Sequence, residues 1–408
     1  MEALHTWSAR RIAAAVRARE LSAEEVTRHH LDRIAEHEHL HTVITLTGDS
    51  ALACARQAPL GSLAGVPLLV KDIFDTAGVR TTYGSGIFRE NVPVRSATSV
   101  RRLLDAGAIM LGKANLHEFA WGVTSRNRAY GAVVNSARPD RIPGGSSGGN
   151  ASALAAGLCA LGLGTDTGAS IRLPAAACGI AGFKPAFGSV PADGLWPLAP
   201  SFDHVGPLAR SLDDCALAFD VLRGAPLEAV PAAGLAVRHV EARAAGPTTD
   251  AFLEAAGLPA APALVRLHLA ECAEVHRELY AAQRAAYDDD LHAKLAVGLS
   301  VDADERASLV TALHGWRQAC AAACTWDVLV SPTFPGELPA ADVPPTIELT
   351  DRMTAYTRPV NWLGWPSAVT ADGAMHTGRD EAAVLSHALS WEAASAELRG
   401  VAGRARAN

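Results

Sequence analysis

The sequence predicts a layered α/β fold. Short apolar segments with β character alternate with helical segments through the first half of the chain, a pattern typical of strands covered by helices. The chain has 408 residues, of which 49% are hydrophobic, so it can bury a large core. It contains no internal repeat and no clear linker, which favours a single large unit.

The expected elements follow one another in a regular order. The second helix is expected to begin at Ser22, because Ser22 and Glu25 form the sequence pattern of a capping box. Lys71 lies near the end of the apolar run "AGVPLLVKDIF". In chain order we expect two helices in 7–36, strands at 42–47 and in 64–74, a helix and a short strand in 98–115, weakly structured excursions in 224–262, helices over most of 265–324, a buried strand at "WDVLV" and a C-terminal amphipathic helix.

Composition narrows the classes of partner. The net charge is −7 with no basic run, which disfavours nucleic-acid binding. The N-terminus lacks the pattern of a secretory signal, and no apolar stretch reaches the ~18 residues of a membrane span. The seven cysteines lie mostly in Ala/Leu-rich surroundings, which predicts free thiols in a reducing compartment. We therefore expect a cytoplasmic protein that acts on a small molecule, with no metal, cofactor, nucleic acid or membrane, and we leave a homodimer open.

Two segments rich in glycine and hydroxyl side chains raise the question of function. They are "RIPGGSSGGN" at 141–150 and "LGTDTGASIRLPAA" at 163–176, with an Ala-rich helix and a short strand expected between them. Phosphate binding is disfavoured, because neither segment carries the lysine of a Walker loop and the glycine spacing does not match a dinucleotide turn. The string "GSSGG" matches G-x-S-x-G, which would make Ser147 the nucleophile of an α/β-hydrolase. That fold separates its acid and histidine widely, whereas Asp203 and His204 are adjacent.

A third interpretation uses a lysine as the base. The chain has only four lysines, so their placement is informative. Burial at the end of a strand lowers the pKa of a lysine and lets the neutral amine accept a proton. A serine at the start of a helix can attack, because free N–H groups there stabilise an oxyanion. Lys71, one serine of the pair Ser146 and Ser147, and Ser170 provide these parts.

The motifs resemble the amidase signature family. The match is dense over about residues 8–225 and includes "GVPLLVKDIFDTAGVRTTYGS", "RIPGGSSGGNASALAAG" and "GTDTGASIRLPAAACGIAGFKPAFG". The resemblance implies one large domain over 1–408, with a mixed, mostly parallel twisted central β-sheet and helices on both faces. It places the signature core at about 60–225 and a shortened, variable region at about 224–262. Residues 263–408 would complete the same sheet.

The resemblance also implies a reaction, the hydrolysis of a linear amide to a carboxylate plus ammonia or an amine. By position, Ser170 is the nucleophile that forms an acyl-enzyme, Ser146 follows a cis peptide bond and relays the proton, and Lys71 is the base. The further roles implied are an oxyanion hole of the backbone at Thr167, Gly168, Ala169 and Ser170, and a supporting network of Ser147, Thr165, Asp166 and Arg172. For Trp121, Phe74 and Tyr83 the sequence leaves two alternatives open, the lining of a substrate pocket and packing in the core.

The chain departs from the family in two places. The family usually has two glycines before the nucleophile, whereas this chain has "TGAS" with Ala169. Alanine is disfavoured at positive φ by roughly 1 kcal/mol, so activity is expected to fall if the turn needs that conformation. After "NWLGWPSAV" the chain is shorter than the family by about a strand. An edge of the sheet and one wall of the cleft are therefore expected to be missing, rebuilt or completed by a partner.

Three functions are compatible with these motifs. The first is a free-standing amidase that uses water, favoured by the presence of Lys71, Ser146 and Ser170. The second is the amidase-like subunit of a glutamine-dependent amidotransferase complex, which the shortened chain and the absence of basic docking surfaces disfavour. The third is a binding or regulatory protein on the same fold with weak or no catalysis, which Ala169 and the missing strand favour.

Overall fold

A computed structural model describes residues 3–241 and 246–407 of the chain, with side chains up to residue 397. Its centre is a 10-stranded sheet in which the strands lie in the order β1-β3-β2-β4-β6-β5-β9-β10-β8-β7. The strands are β1 Val43–Leu46, β2 Pro67–Lys71, β3 Ile109–Ala114, β4 Leu161–Asp166, β5 Ala181–Lys184, β6 His204–Ala209, β7 Val237–His239, β8 Val328–Pro332, β9 Ser367–Val369 and β10 Ala374–Gly378.

The helices pack against this sheet in groups. They are α1 Ala9–Arg17, α2 Ala23–Glu36, α3 Gly48–Arg56, α4 Thr98–Asp105, α5 Gly148–Ala155, α6 Arg172–Cys178, α7 Leu212–Arg223, α8 Thr249–Ala256, α9 Leu264–Gln283, α10 Asp289–Leu299, α11 Ala303–Ala323, α12 Ile347–Met353, α13 Arg358–Leu363 and α14 Glu381–Ala407. Helices α5 and α6 pack together on β4 and β5, whereas α7 packs on β5 and β6 and contacts α1, α4 and α14. The α/β fold expected from the sequence is confirmed.

The N-terminal helices form where the sequence places them. The Ser22 side chain accepts a hydrogen bond from the Glu25 N–H at 3.1 Å, and the Glu25 carboxylate accepts one from the Ser22 N–H at 2.9 Å. This reciprocal pair satisfies N–H groups that the first turn of a helix leaves unpaired. The capping box predicted from the sequence therefore starts α2.

The sheet is mixed, but the expected parallel majority is wrong. Six of its nine neighbouring strand pairs are antiparallel. Parallel pairing is found where β2 lies between β3 and β4, and where β7 meets β8. Strands β5 and β6 are joined by residues 185–203 without an intervening α-helix, and they pair antiparallel. A parallel pair requires a crossover, which is usually helical, whereas direct connections give antiparallel neighbours.

The segment after "NWLGWPSAV", where the chain is shorter than the family, contains a strand. Strands β9 and β10 form an antiparallel hairpin, in which Val369 pairs with Met375. The turn between them is tight, with Gly373 at φ 85° and its N–H bonded to the Thr370 carbonyl at 2.8 Å. The sequence of β10, "AMHTG", lacks the β-branched alternation that marks a strand, so the sequence pattern does not predict it.

Residues 224–262 also contain more regular structure than expected. Strand β7 pairs in parallel with β8, and α8 begins at Thr248, whose side chain accepts a hydrogen bond from the Ala251 N–H at 3.3 Å. The helix ends at Gly257, which has φ 72°. The Ala- and Pro-rich composition gave no pattern from which these elements could be predicted. Residues 242–245 of this segment lie outside the described residues. Within the described chain, no helix combines the length and apolarity needed to cross a membrane.

Candidate active site

Lys71 lies at the carboxyl end of β2, beside the parallel strand β4. Because the carboxyl ends of parallel strands meet at one edge of a sheet, Lys71 reaches the loop that follows β4. Its Nζ atom lies 2.7 Å from Ser146 Oγ and 2.7 Å from Thr165 Oγ1. Lys71 is fully buried. Burial lowers its pKa to about 7, against the opposing charges of Asp166 and Asp203. An appreciable fraction of Lys71 is therefore neutral at neutral pH.

Ser146 lies in the first glycine-rich segment, just before α5, and the Gly145–Ser146 peptide bond is cis. The backbone here packs closely against its surroundings. A Cβ at Gly144, which has φ 73°, would lie 2.8 Å from Pro174 Cα, and one at Gly145 would lie 2.8 Å from the Gly122 carbonyl oxygen. Only glycine fits these two positions. The glycines therefore let the segment approach the rest of the site, which holds Ser146 against Lys71.

The second segment joins β4 to α6 and is anchored by Asp166. Its Oδ2 atom accepts hydrogen bonds from the N–H groups of Ile171 at 3.0 Å and Arg172 at 3.2 Å. The Arg172 guanidinium binds both carboxylate oxygens, with Nε 3.0 Å from Oδ2 and Nη2 2.9 Å from Oδ1. Burial raises the pKa of Asp166, but the charge and hydrogen bonds of Arg172 outweigh it and hold that pKa well below its usual range. Asp166 is therefore ionised, and its carboxylate fixes the start of α6.

Two further residues extend this network, and neither has a role in it that the sequence predicts. Asn361 donates from Nδ2 to Asp166 Oδ1 at 2.9 Å and accepts from Arg172 Nη2 at 2.5 Å. Asp203 accepts a hydrogen bond from Thr167 Oγ1 at 2.6 Å. In the sequence, Asn361 is marked as a candidate only by the "NWLGWP" string, and Asp203 only by its position before His204. Both lie far along the chain from the residues they contact, so spacing alone could not connect them.

The turn from Thr167 to Ser170 presents its backbone to a cavity. Among the described residues, the N–H groups of Thr167, Gly168, Ala169 and Ser170 donate to no protein acceptor. Neither Gly168 nor Ala169 has a positive φ, so the turn does not require the conformation that alanine disfavours. The Ala169 methyl group packs in a small apolar cluster with Val123, Ile142, Leu173, Leu338, Leu349 and Met353. The alanine therefore causes no backbone conflict here.

The cavity encloses about 570 Å³ of empty space, part of it open to solvent. Of this space, only about 50 Å³ can be occupied by water-sized molecules, so the cavity is narrow. Ser170 and Trp121 both line it. The other lining residues are Ala120, Gly122, Val123, Thr167, Gly168, Ala169, Leu198, Val265, His268, Leu269, Lys294, Ile347, Thr350, Asp351, Thr354 and Arg358.

Phe74 and Tyr83 do not line the cavity, and the structure places both in the core, the second of the two alternatives. Phe74 is fully buried and forms an isolated bridge with Leu195. Tyr83 packs against Phe88 and Trp196 and donates from its hydroxyl to Asp75 at 2.7 Å. An aromatic residue next to a catalytic motif in sequence can face the core instead of the cleft, and sequence alone does not separate the two cases.

Ser147 occupies a structural position. It is fully buried and does not line the cavity, and its hydroxyl donates to the Thr165 carbonyl at 3.4 Å. Its N–H bonds the Ser170 carbonyl at 3.3 Å, which ties the two glycine-rich segments together. No histidine hydrogen-bonds Ser147 among the described residues. The geometry therefore disfavours the α/β-hydrolase alternative.

Comparison with known proteins agrees with this geometry. The family model described as Amidase matches residues 25–248, which is more than half of the chain. A glutamyl-tRNA(Gln) amidotransferase subunit from Nitrosococcus oceani is 45% identical over 229 residues, which are 54% of this chain and 47% of that protein. The corresponding protein of Acidothermus cellulolyticus is 47% identical over 222 residues, 52% of this chain and 44% of that one. The chain spans about half the length of the curated relatives it matches.

Solved structures match over nearly the whole chain. One, described as a vestigial protein complex that reveals the evolutionary origins of an s-triazine catabolic enzyme, has a TM-score of 0.82 at 28% identity and covers 94% of this chain and 97% of that one. A crystal structure of an amidase has a TM-score of 0.82 at 26% identity, with 95% and 99% covered. On the combined match of family model, site and fold, this chain belongs to the amidase signature family.

Proposed function

We propose that the protein hydrolyses the C–N bond of a linear amide through an acyl-enzyme on Ser170. The observation that carries the proposal is the buried Lys71, with a pKa of about 7, whose Nζ lies 2.7 Å from Ser146 Oγ, together with Ser170, which lines the cavity. A base whose pKa lies near the operating pH is the most effective proton acceptor.

The proposed reaction moves protons through Ser146. Neutral Lys71 accepts the hydroxyl proton of Ser146, and Ser146 accepts the proton of Ser170 as Ser170 Oγ attacks the amide carbon. The free N–H groups of residues 167–170 stabilise the oxyanion. The C–N bond then breaks while Ser146 donates a proton to the leaving nitrogen, and water releases the acyl group from Ser170 as a carboxylate.

The contact between the two serines is the part of this route that must form during catalysis. Among the described residues no side-chain hydrogen bond joins Ser146 to Ser170, although both belong to segments tied by the Ser147 N–H. Catalytic hydrogen bonds of an unliganded enzyme commonly tighten only when substrate is bound. Binding of an amide against the 167–170 turn would bring Ser170 Oγ into line with Ser146 Oγ.

A second candidate is a component of an amidotransferase complex that supplies ammonia from glutamine. The names of the curated relatives favour it, because those proteins are glutamyl-tRNA(Gln) amidotransferase subunits with 45% and 47% identity over the matched half. Both candidates share the same acyl-enzyme chemistry. They differ in whether water-dependent amide hydrolysis requires a partner protein.

Labelling with a fluorophosphonate probe, combined with an ammonia-release screen, tests the proposal. The wild type is expected to be labelled and to release ammonia from simple amides, whereas Ser170→Ala and Lys71→Ala lose both activities. Full labelling of Ser170→Ala would refute the assignment of the nucleophile. Ammonia release that appears only with added amidotransferase subunits supports the second candidate, and a wild type inert under all conditions supports a binding or regulatory role.

A further inference from the structure

The cavity has a wall that the triad mechanism does not use. Arg358, at the start of α13, lines the cavity and is only 6% exposed. A Cβ placed at Gly168 would lie 3.7 Å from Arg358 Cγ and 3.8 Å from its Nε. The arginine side chain therefore passes over the turn that would hold the acyl group, two residues before Ser170.

The Arg358 guanidinium keeps unused donors. It binds Asp351 through a single contact, from Nη1 to Oδ1 at 2.7 Å. Its Nε and Nη2 atoms donate to no protein acceptor among the described residues. Asp351 is 47% exposed at its side chain, so solvent weakens its hold on the guanidinium. A buried guanidinium with an open pair of donors is suited to bidentate binding of a planar anion.

The other polar groups of the wall leave Arg358 as the group with open charged donors. His268 lines the cavity, and burial followed by the charge of Arg358 lowers its pKa to about 3, so it is neutral. Lys294 also lines the cavity, but its Nζ atom is already paired with Asp290 at 2.6 Å and donates to the Trp121 carbonyl at 2.6 Å. Asp351 is the single carboxylate among the lining residues that the structure describes. An anion within the cavity would therefore meet the open donors of Arg358, whose own carboxylate partner is half exposed.

We infer that Arg358 determines substrate specificity by binding a carboxylate at the far end of the acyl group, so that the preferred substrate is the monoamide of a short dicarboxylic acid. This inference rests on the proposed function and adds the substrate class. A carboxylate bound by Nε and Nη2 would place the rest of the acyl chain over Gly168, with its amide end at Ser170.

Matched pairs of substrates separate the effect of the carboxylate charge from the effect of chain length. Succinamate and glutaramate differ from the neutral diamides succinamide and glutaramide only in the group at the far end. The wild type is expected to prefer each monoamide over its diamide by about tenfold or more in kcat/KM, because hydrogen bonds to a charged group are strong. Arg358→Met is expected to lower kcat/KM for the monoamides by about 10- to 100-fold, mainly through KM, and to abolish the preference for each monoamide over its diamide.

A matched control separates this role from general effects of charge. Arg352 lies six residues earlier, is exposed and does not line the cavity. Arg352→Met is expected to behave as wild type on all four substrates, and Arg358→Lys to recover part of the preference. Circular dichroism checks that each variant is folded. If Arg358→Met is unfolded, Arg358→Gln and Arg358→Lys carry the test, and equal use of monoamide and diamide by the wild type would overturn the inference.

A binding measurement keeps the two proposals distinguishable. Calorimetric titration with succinate and glutarate is expected to show binding to the wild type and to Arg352→Met, but not to Arg358→Met. If Ser170 is not labelled and no amide is hydrolysed, the proposed function fails, while dicarboxylate binding that depends on Arg358 still supports the specificity site. Labelling and hydrolysis of neutral amides without dicarboxylate binding would refute the inference and leave the proposed function standing.

Discussion

Lys71 shows how one side chain acquires its chemistry from its surroundings. In water a lysine is protonated at neutral pH, but at the end of β2 it has lost its hydration and faces hydroxyl groups of Ser146 and Thr165. Burial lowers its pKa to about 7, whereas the charges of Asp166 and Asp203 prevent a larger fall. The same two carboxylates hold the turn that carries Ser170, so the base and the nucleophile share one set of supports.

The pH dependence of the reaction follows from Lys71. Below its pKa of about 7 the amine is protonated and cannot accept a proton, so kcat/KM is expected to fall by about tenfold per pH unit on the acid side and to level off on the alkaline side. The rate of fluorophosphonate labelling should follow the same profile, which makes the measurement independent of the substrate.

A second group titrates in the same range and provides the control for that profile. Burial, followed by the charge of Asp288, raises the pKa of Glu118 to about 7. Glu118 does not line the cavity, and it accepts hydrogen bonds from the Ser85 hydroxyl and the Asp288 N–H. Glu118→Gln is therefore expected to leave the acid limb in place. Loss of the limb in this variant would contradict the assignment to Lys71.

At the scale of elements, the two glycine-rich segments act as close-packed connectors between strand and helix. Among the glycines of these segments, Gly149 in the first turn of α5 has the least room for a side chain. A Cβ there would lie 2.2 Å from the Asn115 carbonyl oxygen, which is backbone and cannot move aside easily. Asn115 follows β3, so this contact seats α5 against the sheet and, with it, the segment that contains Ser146.

Gly149→Ala is expected to destabilise the protein by about 1–3 kcal/mol, because overpacking against backbone forces α5 to shift. It should also slow labelling of Ser170, since the segment with Ser146 moves with the helix. Urea unfolding measures the first effect and labelling rates the second. Gly315→Ala is the control: this glycine lies inside α11 with nothing within 4 Å of the added Cβ, and the change is expected to stabilise by up to about 1 kcal/mol. Equal stability of the two variants would refute the argument.

At the scale of the whole molecule, the sheet interleaves strands from distant parts of the chain. Strand β5 pairs with β6 on one side and with β9 on the other. Asn361, which precedes β9 by a few residues, binds Asp166 at the start of the nucleophile turn. The family model ends at residue 248, yet the cavity wall that contains Arg358 comes from beyond it. The later part of the chain therefore supports the sheet and shapes the site.

A fragment of residues 1–248 tests this dependence. We expect it to remain unlabelled by the fluorophosphonate probe and to lose cooperative unfolding, because it leaves an edge of β5 without β9 and Asp166 without Asn361. Circular dichroism and urea unfolding report the fold. Coexpression with residues 249–408 is expected to restore labelling. A fragment that is labelled as fast as the full chain would show that the first part forms the site alone.

Local sequence patterns were sufficient to predict the α/β class, the N-terminal helices and the motifs around Lys71, Ser146 and Ser170. Capping residues and apolar periodicity act over a few neighbouring residues, so they can be recognised without a structure. The antiparallel majority could not be predicted, because strand direction depends on connections that composition does not reveal. Only the folded chain shows that Phe74 and Tyr83 face the core, that Ala169 fits its turn, and that Asn361 and Arg358 reach the cavity region. Each of these depends on contacts between residues far apart in the chain, which no local pattern records.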